Sequence, residues 1–271
     1  MTTLNLVSWN RPKMTELVIR TIHRNTYTST FRLNVIDNGS ASGTKEMLYR
    51  LKHQEKLIDN LILWDENNGL EAARNELLMH YTSDDRFVDI DNDCLPPPMT
   101  VEGDWLSRQL DLMDRYEDYA AISQRTQVMI GTGNIFESAD KEGTDMLPFP
   151  HPGGSFRLMN TAATIEVGGW DRQATGRGSE EKYICGKLRD AGYHTGFAVK
   201  IQCLHLFGTR DKNHETDRWG YDKDMKPEDS GHSDIWHPVL GTGDEPSEVY
   251  KYAGTKLTQE YFDVDGSDKE E

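Results

Sequence analysis

Strand-like and helix-like stretches alternate four times within the first hundred residues of this 271-residue chain. Residues 4–8 are short and mostly apolar, and Asn10-Arg11-Pro12 ends them and opens a helix, where proline suits the first turn. Met14, Leu17, Val18, Thr21 and Ile22 then recur at helical spacing. A second strand pattern at 32–36 closes on Asp37-Asn38-Gly39-Ser40, a turn signal, and 44–51 reads as a short helix. A third strand at 61–64 breaks at Asn67-Asn68-Gly69; Leu70, Ala73, Leu77 and Tyr81 mark the next amphipathic helix, and 86–90 is the fourth strand. This alternation specifies an α/β fold with a mostly parallel, doubly wound sheet between helices. Such sheets bind ligands outside the carboxyl ends of their strands. Four polar clusters fall there: Trp9-Asn10-Arg11, Asp37-Asn38-Gly39, Asn67-Asn68-Gly69 and Asp91-Asn92-Asp93. Each alone reads as an ordinary turn; four on one edge point to a site.

The fourth strand carries acids at alternate positions, Asp89, Asp91 and Asp93. If the strand ran on, these would share one face, about 6.7 Å apart per two-residue step. Like charges so arranged need a compensating cation or hydrogen-bond donor. Pro96-Pro97-Pro98 then forbids a helix or central strand. A strand delivering acids to a rigid loop suits a divalent ion with hard oxygen ligands. An EF-hand is excluded, because Cys94 stands where its glycine belongs and Thr100 where its glutamate belongs. Solvation of a strand end is the plain alternative.

Composition narrows the function. At 36% hydrophobic and 28% charged the chain reads as globular. A formal net charge of −16 disfavours an extensive nucleic-acid footprint. Cys94, Cys185 and Cys203 are too scattered for a disulfide framework, and they fit a reducing compartment. No apolar run reaches the roughly 20 residues of a membrane span. No basic and apolar leader precedes residue 4. The expectation is a cytoplasmic protein. The phosphate-cradling G-x-x-x-x-G-K-[ST] is missing, and Gly131-Thr132-Gly133 and Gly176-Arg177-Gly178 lack the rest of a dinucleotide fingerprint. A bound nucleotide would need a metal to neutralise its phosphates.

After the prolines, 103–116 reads as a helix with Trp105, Leu106, Leu110 and Met113 inward, followed by strands at 119–123 and 127–130. Residues 131–154 read as an irregular loop, 155–159 as a strand, and Gly168-Gly169-Trp170-Asp171 as a turn. A helix at 180–191 presents Tyr183, Ile184, Leu188 and Ala191 inward and stops at Gly192, with Ser179 as its N-cap. Two strands follow, 195–198 and 200–205. From residue 209 the composition turns to Asp, Lys, Gly, Pro and His, and 266–271 is an acidic tail.

Across about residues 4–208 the chain resembles the inverting glycosyltransferases of family 2, which have the GT-A fold. Val7-Ser8-Trp9-Asn10-Arg11-Pro12, Val35-Ile36-Asp37-Asn38-Gly39-Ser40, and Asn68-Gly69 through Ala73-Arg74-Asn75 are similar to the family's nucleotide-contacting segments, in order. Asp91-Asn92-Asp93 matches the D-x-D motif. Gly168-Gly169-Trp170-Asp171, Ser179-Glu180-Glu181 and Lys187-Leu188-Arg189-Asp190-Ala191-Gly192-Tyr193 match the acceptor side. The family's acceptor motif is usually Glu-Asp, so Glu180-Glu181 departs from it by one methylene.

The resemblance implies a metal-dependent transfer, with inversion, of a sugar from a nucleotide-diphosphate sugar to an acceptor hydroxyl. It implies Mn²⁺ or Mg²⁺ as cofactor, and a UDP-sugar donor ahead of a GDP-sugar; the acceptor class is open. Residues 1–98 would form the nucleotide-sugar half, 99–208 the acceptor half and 209–271 a C-terminal extension. Trp9, Asn10, Arg11, Asp37, Asn68, Arg74 and Asp91 would contact the donor. Asp93 and His205 would hold the metal, with Asp91 on the ribose or a metal-bound water and His214, His232 and His237 in reserve. Glu181 would be the base, with Glu180 as alternate; Glu180 and Trp170 would hold the acceptor. Residues 209–225 would cover the donor, with Arg210, Lys212 and Arg218 meeting the diphosphate and Trp219 excluding water. The alternatives are a non-catalytic nucleotide-sugar or glycan-binding module on the same fold and a nucleotidyltransferase; the latter would need a glycine-rich basic loop where Trp9-Asn10-Arg11-Pro12 stands.

Overall fold

The computed structural model describes residues 1–205, apart from 28, 127–135, 137, 140 and 172–178. The expectations for 127–130 and for everything after residue 205, including the lid and the reserve histidines, lie outside the described residues.

The first half follows the alternation. β1 (Thr2–Ser8), α1 (Pro12–Asn25), β2 (Phe31–Asp37), α2 (Ser42–His53), β3 (Asn60–Leu63), α3 (Leu70–Tyr81) and β4 (Arg86–Asp91) succeed one another. β5 (Cys94–Leu95), α4 (Trp105–Arg115), β6 (Tyr119–Thr126), β7 (Met146–Pro148), β8 (Arg157–Asn160), α5 (Thr161–Glu166), α6 (Ser179–Asp190) and β9 (His194–His205) complete the described part. The sheet order is β3-β2-β1-β4-β8-β6-β9-β5, with β7 also on β9. β1 through β4 pair in parallel and β6 pairs β9 in parallel, while β8 runs antiparallel between β4 and β6. The fold is a GT-A-type α/β domain.

Helices cover both faces. Met14, Val18, Ile19 and Ile22 of α1, Met47, Leu48 and Leu51 of α2, and Trp105 and Leu106 of α4 join Leu4, Leu6, Leu33 and Val35 in one core. Ala73 and Leu77 of α3 pack on Val7 and Ile36 from the other side. Alternate strand residues therefore serve opposite cores, as the pleat requires. A buried asparagine ladder pins the register: Asn34 Nδ2 donates to Asn5 Oδ1 (2.9 Å) and Asn60 Nδ2 to Asn34 Oδ1 (2.8 Å). A one-residue slip would break both bonds and strand buried amides.

Four local expectations are corrected. The two strands at 195–198 and 200–205 are one, β9, because Lys200 simply points outward while the backbone continues past a register shift at Gln124/Arg125. The loop at 131–154 contains β7, which adds to the edge of β9. On α6 it is Ile184, Cys185 and Leu188 that are buried; Tyr183 is 48% exposed and Ala191 is exposed. Ser179 is already helical rather than a cap, a one-residue difference of the usual size.

Candidate active site

The carboxyl ends of β1, β2 and β3 are stitched together by their own loops. Asn38 N donates to Ser8 O, and Asn10 N to Ser40 Oγ, each at 2.9 Å. Asn10 Oδ1 in turn accepts from Ala41 N (2.9 Å). Asn10 sits at φ +50°, a left-handed conformation that asparagine tolerates better than most residues. Asn38 reaches the third loop, donating to Asn67 Oδ1 and accepting from Asn68 N, both at 2.9 Å. At Gly39 a Cβ would lie 2.2 Å from the carbonyl carbon of Glu66, so only glycine lets these two loops touch. Asp37 closes the second loop by accepting from Ser40 N (2.9 Å), while its Oδ1 is buried with no partner among the described residues. Burial pushes the Asp37 carboxyl up, against the opposing pull of Ser40 and Lys45.

The three acids of the fourth strand do not share a face around one ion. β4 ends at Asp91 and the chain turns through Asn92 and Asp93 into β5. Asp89 is buried between two arginines: Arg74 Nε donates to its Oδ1 (2.9 Å) and Arg157 Nη2 to its Oδ2 (2.7 Å). Arg74 Nη2 also donates to Asp91 Oδ1 (2.8 Å), and Arg74 Nη1 lies 3.9 Å from Glu180 Oε1. Burial opposes the charge of Arg74, but Asp89, Asp91, Glu181 and Glu180 outweigh it and keep it cationic. Arg74 was expected at the donor edge. Its side chain is 1% exposed and lies behind Asp91, where it orients carboxylates instead.

Asp93 turns the other way. Arg11 Nη1 donates to its Oδ2 (3.0 Å), and His205 Nε2 lies 3.2 Å from its Oδ1. His205 arrives because β5 pairs β9 antiparallel, with Cys94 opposite His205. The two carboxyls are therefore driven apart. Burial, together with Asp93, Glu181 and Asp89, lifts Asp91 to about 7 despite Arg74. At Asp93 burial acts in the same upward direction, but His205 and Arg11 overcome it and hold the carboxyl well below the usual range. Asp93, Cys94 and His205 place one ligand atom each within 4.8 Å of one another. Burial raises the Cys94 thiol well above its ordinary value, and a neutral sulfur is a poor partner for Mn²⁺ or Mg²⁺. The donor set that fits such an ion is Asp93 and His205, both partly exposed.

The acceptor-side segments close on the same place. Asn75 of α3 donates to Trp170 O (2.7 Å) and accepts from Trp170 N (2.8 Å), holding the turn after α5 against α3. A Cβ at Gly169, φ +64°, would lie 2.4 Å from Asn75 Oδ1. Trp170 itself is 2% exposed, edge-on to Phe87 and under the Arg74 guanidinium (5.7 Å), so it packs the core rather than offering a ring to an acceptor. Glu180 and Glu181 stand in the first turn of α6. Burial and the neighbouring Glu181 raise the Glu180 carboxyl, with Arg74 opposing. Glu181 Oε2 is buried and has no hydrogen-bond partner among the described residues.

Of the residues singled out in the sequence, the fold brings Asp93, His205, Arg11, Asp91, Glu180 and Glu181 near one another. Sequence reasoning missed Arg157 and the double clamp on Asp89. Trp9 is half-buried, and Asn68 is exposed at the loop edge, where its Nδ2 donates to Glu66 O (3.2 Å) and so serves the loop.

The model described as glycosyl transferase family 2 matches residues 5–169. That match contains Asp37, Arg74, Asp91 and Asp93; Glu180, Glu181 and His205 lie beyond it. No curated protein matches the chain. Among solved structures, the mannosyltransferase PcManGT from Pyrobaculum calidifontis, in complex with GDP-Man and Mn²⁺, is 18% identical with a TM-score of 0.62, over 75% of this chain and 56% of that one. GalNAc-T7 with UDP, GalNAc and Mn²⁺ is 12% identical with a TM-score of 0.63, over 76% of this chain and 43% of that one. S. aureus TarS 1-349 in complex with UDP is 12% identical with a TM-score of 0.56, over 76% of this chain and 61% of that one. The chain therefore spans less than two thirds of the length of each of these similar structures. At these identities the likeness is one of fold.

Proposed function

The chain belongs to glycosyl transferase family 2, and on that premise we propose that it transfers a sugar from a nucleotide-diphosphate sugar to an acceptor hydroxyl with inversion, using a divalent metal. The observation that carries this reading is the convergence of Asp93, Arg11 and His205 at the carboxyl end of the parallel strands, facing a helix that starts with two glutamates. The ligands of the similar structures, GDP-Man with Mn²⁺ in one, UDP and GalNAc with Mn²⁺ in another and UDP in a third, support the donor class and the metal. Residues 1–98 supply the donor side and 99–208 the acceptor side.

Asp93 and His205 would hold the ion; mixed carboxylate and imidazole ligation suits Mn²⁺. When bound, the metal neutralises the diphosphate and stabilises the leaving group. Arg11, 3.0 Å from Asp93, fixes that carboxylate in its ionised form and offers positive charge beside the phosphates. Asp91, its carboxyl lifted by burial to about 7 and tied to Arg74, would hydrogen-bond the ribose or a water at a bound ion. Asp37 offers its unpartnered oxygen to a nucleobase N–H. Glu181 takes the proton from the attacking hydroxyl, and its unpartnered buried oxygen is an acceptor available for that bond. Glu180 positions the acceptor.

The test is a donor panel of UDP- and GDP-sugars with Mn²⁺, reading transfer and donor hydrolysis. Turnover of one donor, lost on chelation and restored by Mn²⁺, is expected. Nucleotide-sugar binding without turnover of any donor would favour a binding module.

A further inference from the structure

Cys94 has no part in the reaction proposed above, yet its sulfur stands beside both proposed ligands. It is directly opposite His205 across the antiparallel β5–β9 pair, so the two side chains emerge on one face as neighbours. It also follows Asp93 in the chain, with its Sγ 3.7 Å from Asp93 Oδ1, and that oxygen is 3.2 Å from His205 Nε2. Ligands held at about 2.0–2.3 Å around a tetrahedral zinc lie about 3.3–3.6 Å from one another. The observed separations bracket that range, and all three ligand atoms fall within 4.8 Å of each other.

We infer that Asp93, Cys94 and His205 form a three-ligand site for a thiophilic ion such as Zn²⁺, with the fourth position open toward the substrate edge. Hardness decides which ligands are used. Mn²⁺ and Mg²⁺ favour oxygen and leave the thiol aside, whereas Zn²⁺ accepts sulfur, nitrogen and oxygen together. On coordination a zinc–sulfur bond replaces the S–H bond and the thiol proton passes to solvent. Zinc so bound occupies the two side chains that manganese needs, which makes the site a point of competitive inhibition. Only that inhibitory consequence rests on the proposed function; the ligand set does not.

The test uses the full chain, stripped of metal and titrated with Co²⁺ as a spectroscopic substitute for zinc, without nucleotide. A thiolate-to-cobalt absorption band, bleached by added Zn²⁺, is expected for wild type. The band should vanish in Cys94→Ser and persist in Cys185→Ser, whose parent thiol lies on α6 beside Arg157 and away from the ligand group. Zinc affinity in Cys94→Ser should fall by about 100-fold or more, since changes to outer-shell partners alone cost about 10–100-fold. X-ray absorption on zinc-loaded wild type needs no variant and should show one sulfur at about 2.3 Å. Absence of the band or of that sulfur, or a band that survives Cys94→Ser, overturns the site. Mn²⁺ binding with UDP or GDP in the same preparations separates the two readings. Manganese binding without a zinc thiolate defeats only this inference, and failure of both ions defeats the proposed metal as well.

Discussion

Asp91 and Asp93 stand two residues apart and live in opposite electrostatic settings. Asp91 ends a strand, faces Arg74 and is crowded by Asp89, Asp93 and Glu181; burial lifts it to about 7. Asp93 lies one turn on, between Arg11 and His205, and is held ionised in spite of its burial. The interior side is closed, with Arg74 1% exposed and Arg157 fully buried. The edge side has His205 26% and Asp93 18% exposed, against 29% for Asp91, so charge environment rather than exposure separates the two carboxyls. The lesson is that two acids two residues apart are not electrostatically equivalent here. One carboxylate is tied by Arg74 to a buried charge network, and the other is held charged by His205 and Arg11.

The largest effect that would break this contrast is loss of Asp93. Asp93→Ala should lower turnover by on the order of 10³, as removal of several kcal/mol of metal stabilisation implies, and should abolish Mn²⁺ binding in a titration. Asp91→Asn should weaken Mn²⁺ binding by no more than about 10–100-fold, as a group outside the direct ligands. Equal loss of Mn²⁺ from both variants would make the pair equivalent after all.

Next is the base on the Asp91 side. Glu181→Gln should lower kcat by about 10²–10⁴ with nucleotide affinity unchanged, and Glu180→Gln should mainly raise the acceptor KM. Reversed effects in steady-state kinetics would exchange the two roles.

Arg74→Leu tests the scaffold. It leaves Asp89 with Arg157 but strips Asp91 of its cation, and breaking a buried pair in this way costs about 3–5 kcal/mol. A denaturant midpoint close to wild type would show that the network is not structural.

The smallest effect is on pH dependence in the metal-free protein. Asp91 binds its proton more tightly folded than unfolded, so its contribution to stability falls as pH rises from about 4 to about 7. Asp93 has the opposite sign: its contribution is complete above the unfolded pKa and is lost as pH drops through the depressed folded value. Unfolding curves at pH 5 and 7 should therefore show wild type losing stability relative to Asp91→Asn across that interval. A parallel response would remove the difference between the two carboxyls.

The sequence made some of this legible and not the rest. Short apolar runs ending in polar turns, Asn-Gly in two of the four, revealed the parallel half, because each βα unit carries its own periodicity and stop signal. His205 was readable as a strand-end residue, since it alternates with Leu204 and Leu206. The partners of Asp89 were not readable. Arg157 is 68 residues away, on a strand whose antiparallel placement beside β4 no local pattern announces. Arg74 matched a donor-contacting segment by position, but only the packing of α3 against the sheet shows its guanidinium turned inward. Cys94 looked like an isolated thiol until the β5–β9 pairing set it opposite His205.

The most direct test of the central claim is a crystal structure with Mn²⁺ and a nucleoside diphosphate, with the ion located by its anomalous scattering. The account predicts the ion bonded to one Asp93 oxygen and to His205 Nε2, with Asp91 still on Arg74 and not bonded to the metal. An ion held by Asp91, or one remote from His205, would contradict it.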